Sequence, residues 1–133
     1  MKIKKLGASL LFTAIAIVTP FSSAFAGSWD YLGNYSFHYN SSAGRYVTNI
    51  VNSTGGYFKF CTSQWGTSVK SYTVWEYDPD NPDDKIASFD FLSNGDCKTI
   101  YVDNYVDGSN KRAEIYISTD SYLASSTYVD MWD

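Results

Sequence analysis

Lys70-Ser71-Tyr72-Thr73-Val74-Trp75-Glu76-Tyr77 is the stretch on which the fold turns. It is rich in β-branched and aromatic residues and has no helical stripe. With a period of two, Tyr72 and Val74 share one face and Thr73, Trp75 and Tyr77 the other. Aromatic rings on both faces mean that a thin two-layer protein cannot bury them all, so some are expected on the surface.

Similar runs extend in both directions. Tyr35, Phe37 and Tyr39 alternate with polar neighbours, and Arg45 to Val51 and Gly56 to Cys61 follow. Beyond the quoted stretch come Ile86 to Leu92, Cys97 to Val102, Arg112 to Ser118 and a weaker run, Ser126 to Met131. Turn-forming residues separate them: Ala43-Gly44, Thr54-Gly55-Gly56, Asp78-Pro79-Asp80-Asn81-Pro82, Asn94-Gly95 and Asp107-Gly108-Ser109-Asn110. About eight short strands at even spacing predict an all-β fold, a single antiparallel β-sandwich. A short helical turn is expected near residues 122–125.

Residues 1–26 read as a signal peptide. A basic start, Met1-Lys2-Ile3-Lys4-Lys5, leads into an apolar stretch, Leu6 to Thr19. That stretch is too short to span a bilayer core of about 30 Å comfortably. Pro20 breaks it, and Ser23-Ala24-Phe25-Ala26 carries the small residues of a cleavage site. The domain is therefore expected over 27–133, secreted and extracellular. The leader holds three of the ten Lys and Arg and none of the 14 Asp and Glu, so the remainder has net charge −7. Such a chain repels phosphate backbones, which argues against a nucleic-acid partner. No second apolar run suggests a transmembrane anchor. Export also places Cys61 and Cys97 where disulfides persist, so the two are expected to pair and to tie distant strands.

Catalytic signals are sparse. His38 is the one histidine, no serine sits in a nucleophile-elbow context, and paired cysteines leave no thiol nucleophile. Acids cluster from Glu76 to Asp84, and paired carboxylates are the groups a glycoside hydrolase would use. The reading is of a binding protein, not an enzyme, acting on a cell-envelope component: polysaccharide, peptidoglycan or protein. Trp75, Tyr77 and Trp65 are the nominated binding rings. A secreted antibacterial protein is the alternative, and a carboxylate-based hydrolase is the third reading.

Two local resemblances add to this. Residues 74–86, Val74-Trp75-Glu76-Tyr77-Asp78 through Asp84-Lys85-Ile86, resemble a calcium-binding loop of the membrane-binding domains of protein kinase C and synaptotagmin. The resemblance implies calcium as a cofactor, with Glu76, Asp78 and Asp84 as ligands. Carboxylates on a strand end and its turn suit the six to eight oxygens this ion takes. Residues 27–55, with Gly27-Ser28-Trp29 and Val51-Asn52-Ser53-Thr54-Gly55, are loosely similar to lactococcin-type bacteriocins. That similarity implies killing of related bacteria through cell-wall precursors.

Overall fold

The alternation of the quoted stretch survives intact. In the computed structural model, Lys70, Tyr72, Val74 and Glu76 point inward and are buried, while Ser71, Thr73 and Trp75 face out. The structure describes residues 27–65, 70–120 and 124–133. The predicted leader, 1–26, lies outside the described residues.

Among the described residues, ten strands form two antiparallel sheets. The first sheet has the order β1 (Tyr31–Ser36), β10 (Thr127–Trp132), β5 (Tyr57–Gln64), β8 (Cys97–Tyr101). The second runs β2 (His38–Asn40), β3 (Arg45–Val47), β9 (Ala113–Thr119), β6 (Lys70–Glu76), β7 (Asp84–Leu92), with β4 (Val51–Ser53) also paired to β9. Short 3₁₀ turns occupy Asp103–Tyr105 and Ala124–Ser126, the latter close to the predicted helical turn. The predicted all-β sandwich is the fold, with two of the eight expected runs divided.

Each division has a physical cause. The first run splits at Phe37, which is buried against Tyr72, ring centroids 6.0 Å apart. There the chain leaves the four-stranded sheet (β1) and enters the six-stranded one (β2). The second run splits because Thr48, Asn49 and Ile50 are set against only Tyr116 and Ile117, between the Val47–Ser118 and Val51–Ile115 pairs. This is a β-bulge with one extra residue. Thr48 repairs the ladder. Its N–H donates to Ile117 O (2.9 Å), and its Oγ1 accepts from Ile117 N–H (3.0 Å).

Between the sheets, Phe58, Phe60, Val129 and Met131 of the first meet Tyr72, Val74, Ile115 and Ile117 of the second, all fully buried or nearly so. Burying each such side chain is worth roughly 1.5–3 kcal/mol. A polar bridge crosses the core at Gln64. The Tyr72 hydroxyl donates to Gln64 Oε1 at 2.7 Å, and Gln64 Nε2 donates to Leu92 O at 3.1 Å, so the two sheets are pinned in register.

Cys61 and Cys97 are bonded, as expected from sequence. The bond does not reach across the sandwich. It joins β5 to β8, direct neighbours in one sheet. Thr62 N–H donates to Asp96 O, so the next pair along is the hydrogen-bonded one and Cys61–Cys97 is a close, non-hydrogen-bonded pair. Inward positions on β5 are Phe58, Phe60 and Thr62, so the sulfurs lie on the outer face.

Candidate functional site

The outer face of the four-stranded sheet collects aromatic rings from distant parts of the chain. Register places them together. Tyr31 lies opposite Trp132, Trp132 opposite Lys59, and Tyr57 opposite Tyr101. Residues directly opposite share a face, and so do Tyr57 and Lys59, two apart on β5. Tyr31 and Trp132 are 5.4 Å apart between centroids, and Tyr57 and Tyr101 are 5.3 Å apart, edge to face. Lys59 Nζ lies 4.7 Å from the Trp29 ring and 4.4 Å from that of Trp132, a cation held between two indoles. Tyr31, Tyr57 and Tyr101 are half or more exposed, at 58, 62 and 50 %.

Polar groups are interleaved with the rings. Asp130 Oδ1 accepts from the Tyr31 hydroxyl (2.8 Å) and from Asn34 Nδ2 (3.0 Å). The Asp130 bond raises the Tyr31 hydroxyl above its ordinary pKa, and the Asp103 charge does the same to Tyr101. Both phenols therefore remain protonated donors. At its edge the face runs into a groove of about 640 Å³ bounded by Trp29, Asp30, Thr54, Gly55, Tyr57 and Asp133. The Asp133 carboxylate shapes the groove by accepting from Ser53 Oγ and from Thr54 N–H and Oγ1. Gly55 has φ +104°, and a Cβ there would stand 2.7 Å from Asp103 Oδ1, so this turn requires glycine.

The nominated rings are dispersed. Trp75 and Tyr77 face out from the six-stranded sheet, on the opposite side of the protein. Trp75 is only half-exposed. It stacks on Tyr116 at 6.3 Å, donates Nε1–H to Ser118 Oγ at 2.8 Å, and has the Arg45 guanidinium 4.4 Å over its ring. Tyr77 is 37 % exposed beside a second cavity. Trp65, 81 % exposed, follows the end of β5. The aromatic face was missed because its rings sit in separate segments, each with one or two aromatics. A detectable signal is there: Trp29-x-Tyr31, Tyr57-x-Lys59 and Tyr128-x-Asp130-x-Trp132 all alternate with inward positions.

The nominated calcium ligands lie at one end of β6 and its hairpin loop but are differently engaged. Glu76 is an inward, buried residue opposite Asp84. Burial raises its carboxyl to about 7, aided by the charges of Asp107, Asp78, Asp84 and Glu114. Asp78 is spent on its own turn. Oδ1 accepts from Asp80 and Asn81 N–H, and Oδ2 from Asn81 Nδ2, which holds its carboxyl below the usual range. Asp84 is exposed. Among the described residues, no three His, Cys, Asp or Glu side chains are grouped so as to hold a metal ion. Among those residues, too, no helix is long and apolar enough to cross a membrane.

Fold and face together define a two-sheet β-sandwich that presents aromatic rings on one outer surface. Residues 31–131 match the family described as the YndA coiled coil domain, and the chain belongs to that family. Protein YndA of Bacillus subtilis (strain 168) is 35 % identical over 130 residues, covering 96 % of this chain and 91 % of that one. Neither local resemblance in the sequence pointed to this family. The coiled-coil description does not fit the structure, since the described residues contain strands and 3₁₀ turns but no α-helix. Among solved structures, two mutants of CBM29-2, a family 29 carbohydrate binding module, align over 80 % of this chain. They cover 79 and 78 % of those chains, with a TM-score of 0.39 and 8–9 % identity, too distant to bear on function.

Proposed function

We propose that this protein is a secreted binding module that holds an envelope polysaccharide across the outer face of its four-stranded sheet. The observation that carries the reading is the set of rings gathered on one face around Lys59, with Trp29, Tyr31, Tyr57 and Tyr101 exposed and Trp132 half-buried among them. The outward positions of this sheet carry Tyr, Trp, Lys, Asp, Asn, Ser, Thr and the bonded Cys61 and Cys97. Leu, Ile, Val and Met are absent from those positions among the described residues. The core of a protein interface is apolar and depleted of charged side chains, whereas a sugar offers apolar C–H faces edged by hydroxyls. Rings for the C–H faces, with Lys59, Asp130 and protonated phenols for the hydroxyls, match the second chemistry. The face crosses three interstrand steps, about 14 Å, room for a short run of pyranose rings.

Secretion follows from the leader at 1–26, and binding requires no catalytic group. The test is co-sedimentation of the mature protein with purified Bacillus subtilis cell walls, with affinity electrophoresis against soluble polysaccharides. The expected result is retention by at least one glycan. The Tyr57→Ala/Tyr101→Ala double variant should lose at least tenfold in affinity, since each exposed ring contributes about 1 kcal/mol, while its unfolding curve barely moves. Binding by the variant equal to the parent, or retention by no wall and no glycan, would overturn the reading.

A further inference from the structure

On the opposite side of the sandwich, the bulge at Thr48 to Ile50 turns the edge of the six-stranded sheet away from β9. A cavity of about 560 Å³ opens over Tyr116, between the β2–β3 hairpin and the β6–β7 loop. Its wall is built in a chain of contacts. Trp75, fixed to Ser118 and covered by Arg45, stacks on Tyr116. The Tyr116 hydroxyl donates to Asp83 Oδ2 at 2.6 Å, and Asp78 N–H donates to Asp83 Oδ1 at 3.2 Å. Burial and the bond to Asp83 push the Tyr116 hydroxyl well above the usual phenol range, so it stays a donor to Asp83. Each Asp83 oxygen has taken one donor and retains acceptor capacity.

The lining selects by charge. Among the described residues around the cavity, Asp83 is the only acid and His38 the only basic side chain, with no Lys or Arg present. Arg45, the nearby cation, is engaged on Trp75. A half-buried carboxylate whose cavity lining holds no Lys or Arg attracts positive charge and rejects anions. One carboxylate is too few for calcium, which takes six to eight oxygens. Tyr77 beside it offers a π face that favours an organic cation. Asn40, Thr48 and Asn49 supply hydrogen-bonding groups for hydroxyls.

We infer that this cavity is a second binding site, for an ammonium group carried on a hydroxylated frame such as an unacetylated amino sugar. The site is independent of the aromatic face.

The probe is glucosamine at about pH 6, where its amine is protonated, titrated against the ¹⁵N-labelled mature protein by NMR. Saturable shifts are expected at the amides of Thr48, Tyr77 and Tyr116. Glucose and N-acetylglucosamine, which lack the charge, should bind at least tenfold more weakly. Asp83→Asn keeps an acceptor for Tyr116 and should also cost at least tenfold. Tyr77→Leu keeps the volume of a partly exposed wall, removes the π face and should weaken binding several-fold. Equal binding of the neutral sugars, undiminished binding by Asp83→Asn, or no shifts at these amides would overturn the inference. The Tyr57→Ala/Tyr101→Ala variant should bind glucosamine normally, so failure of this site and failure of the polysaccharide reading are distinguishable.

Discussion

Replacing Cys61 and Cys97 together by Ser lowers stability by about 3–4 kcal/mol, the chain-entropy value for a loop of this length, with 36 residues separating the cysteines. For a domain of this size that is a fall in Tm on the order of 15 °C. The loss falls unevenly. β8 is an edge strand whose ladder partner is β5, and the bond sits at the start of that ladder. The preceding turn is separately tethered. Thr62 Oγ1 donates to Ser93 O, Gln64 N–H to Asn94 Oδ1, and Gly95 N–H to Thr62 O. The reduced protein is therefore expected to remain folded at room temperature, with β8 amides exchanging faster than those of β9. Because the sulfurs face outward and Cys97 is exposed, dithiothreitol should reduce the native protein without prior unfolding. Thermal melts with and without reductant, and hydrogen exchange on the double variant, check both statements. A Tm within about 2 °C of the parent would show that the bond constrains little.

How far the sequence carried differs between fold and site. β6, β8 and β9 were legible from their period-two alternation, and β7 from its run of β-forming residues, although two register shifts against β6 break its alternation. Phe37 and Thr48 were not legible as breaks. Phe37 is an ordinary strand residue, and its role as the crossing between sheets depends on Tyr72, 35 positions away. Thr48 continues a plausible strand, and only the count of residues on β9 reveals the bulge. The disulfide followed from compartment chemistry, but its placement between neighbours needed the β5–β8 register. Trp75 was read correctly as outward, yet outward is not free: Tyr116, Ser118 and Arg45 consume most of its surface. Tyr57 and Tyr101, the most open opposed pair, are 44 positions apart, and pairing alone makes them a site. The acidic turn shows the same limit. Composition displays five carboxylates between Glu76 and Asp84 but not that Asp78 caps its own turn while Glu76 goes inward.

Glu76→Gln should stabilise the protein at neutral and alkaline pH and do nothing in acid. Glu76 is 4 % exposed at the inward end of β6, next to Ile115 and Asp84 in the ladder, with Asp107, Asp78 and Glu114 adding negative potential. Its carboxyl is raised from 4.5 to about 7. The folded state therefore holds a proton that the unfolded chain has released between these values. Stability contributed by the protonated form is present below about pH 4.5 and is lost as pH rises through 7. The full shift corresponds to roughly 3 kcal/mol. Water at the open end of the sheet screens part of it, leaving an expected gain of about 2 kcal/mol for the variant at pH 8. That is roughly 10 °C in Tm. The measurement is the parent-minus-variant difference in unfolding free energy from pH 4 to 8, which cancels the titration of the other carboxylates. A flat difference would show that Glu76 is solvated or neutralised. Calcium belongs in the same experiment, because an ion closing on Glu76, Asp78 and Asp84 removes the reason for the raised pKa. With the carboxylates engaged as they are, millimolar calcium is expected to leave the parent's profile unchanged. A calcium-specific rise in Tm at pH 8, abolished by Asp78→Asn and not reproduced by magnesium, would show instead that the turn rearranges to coordinate the ion.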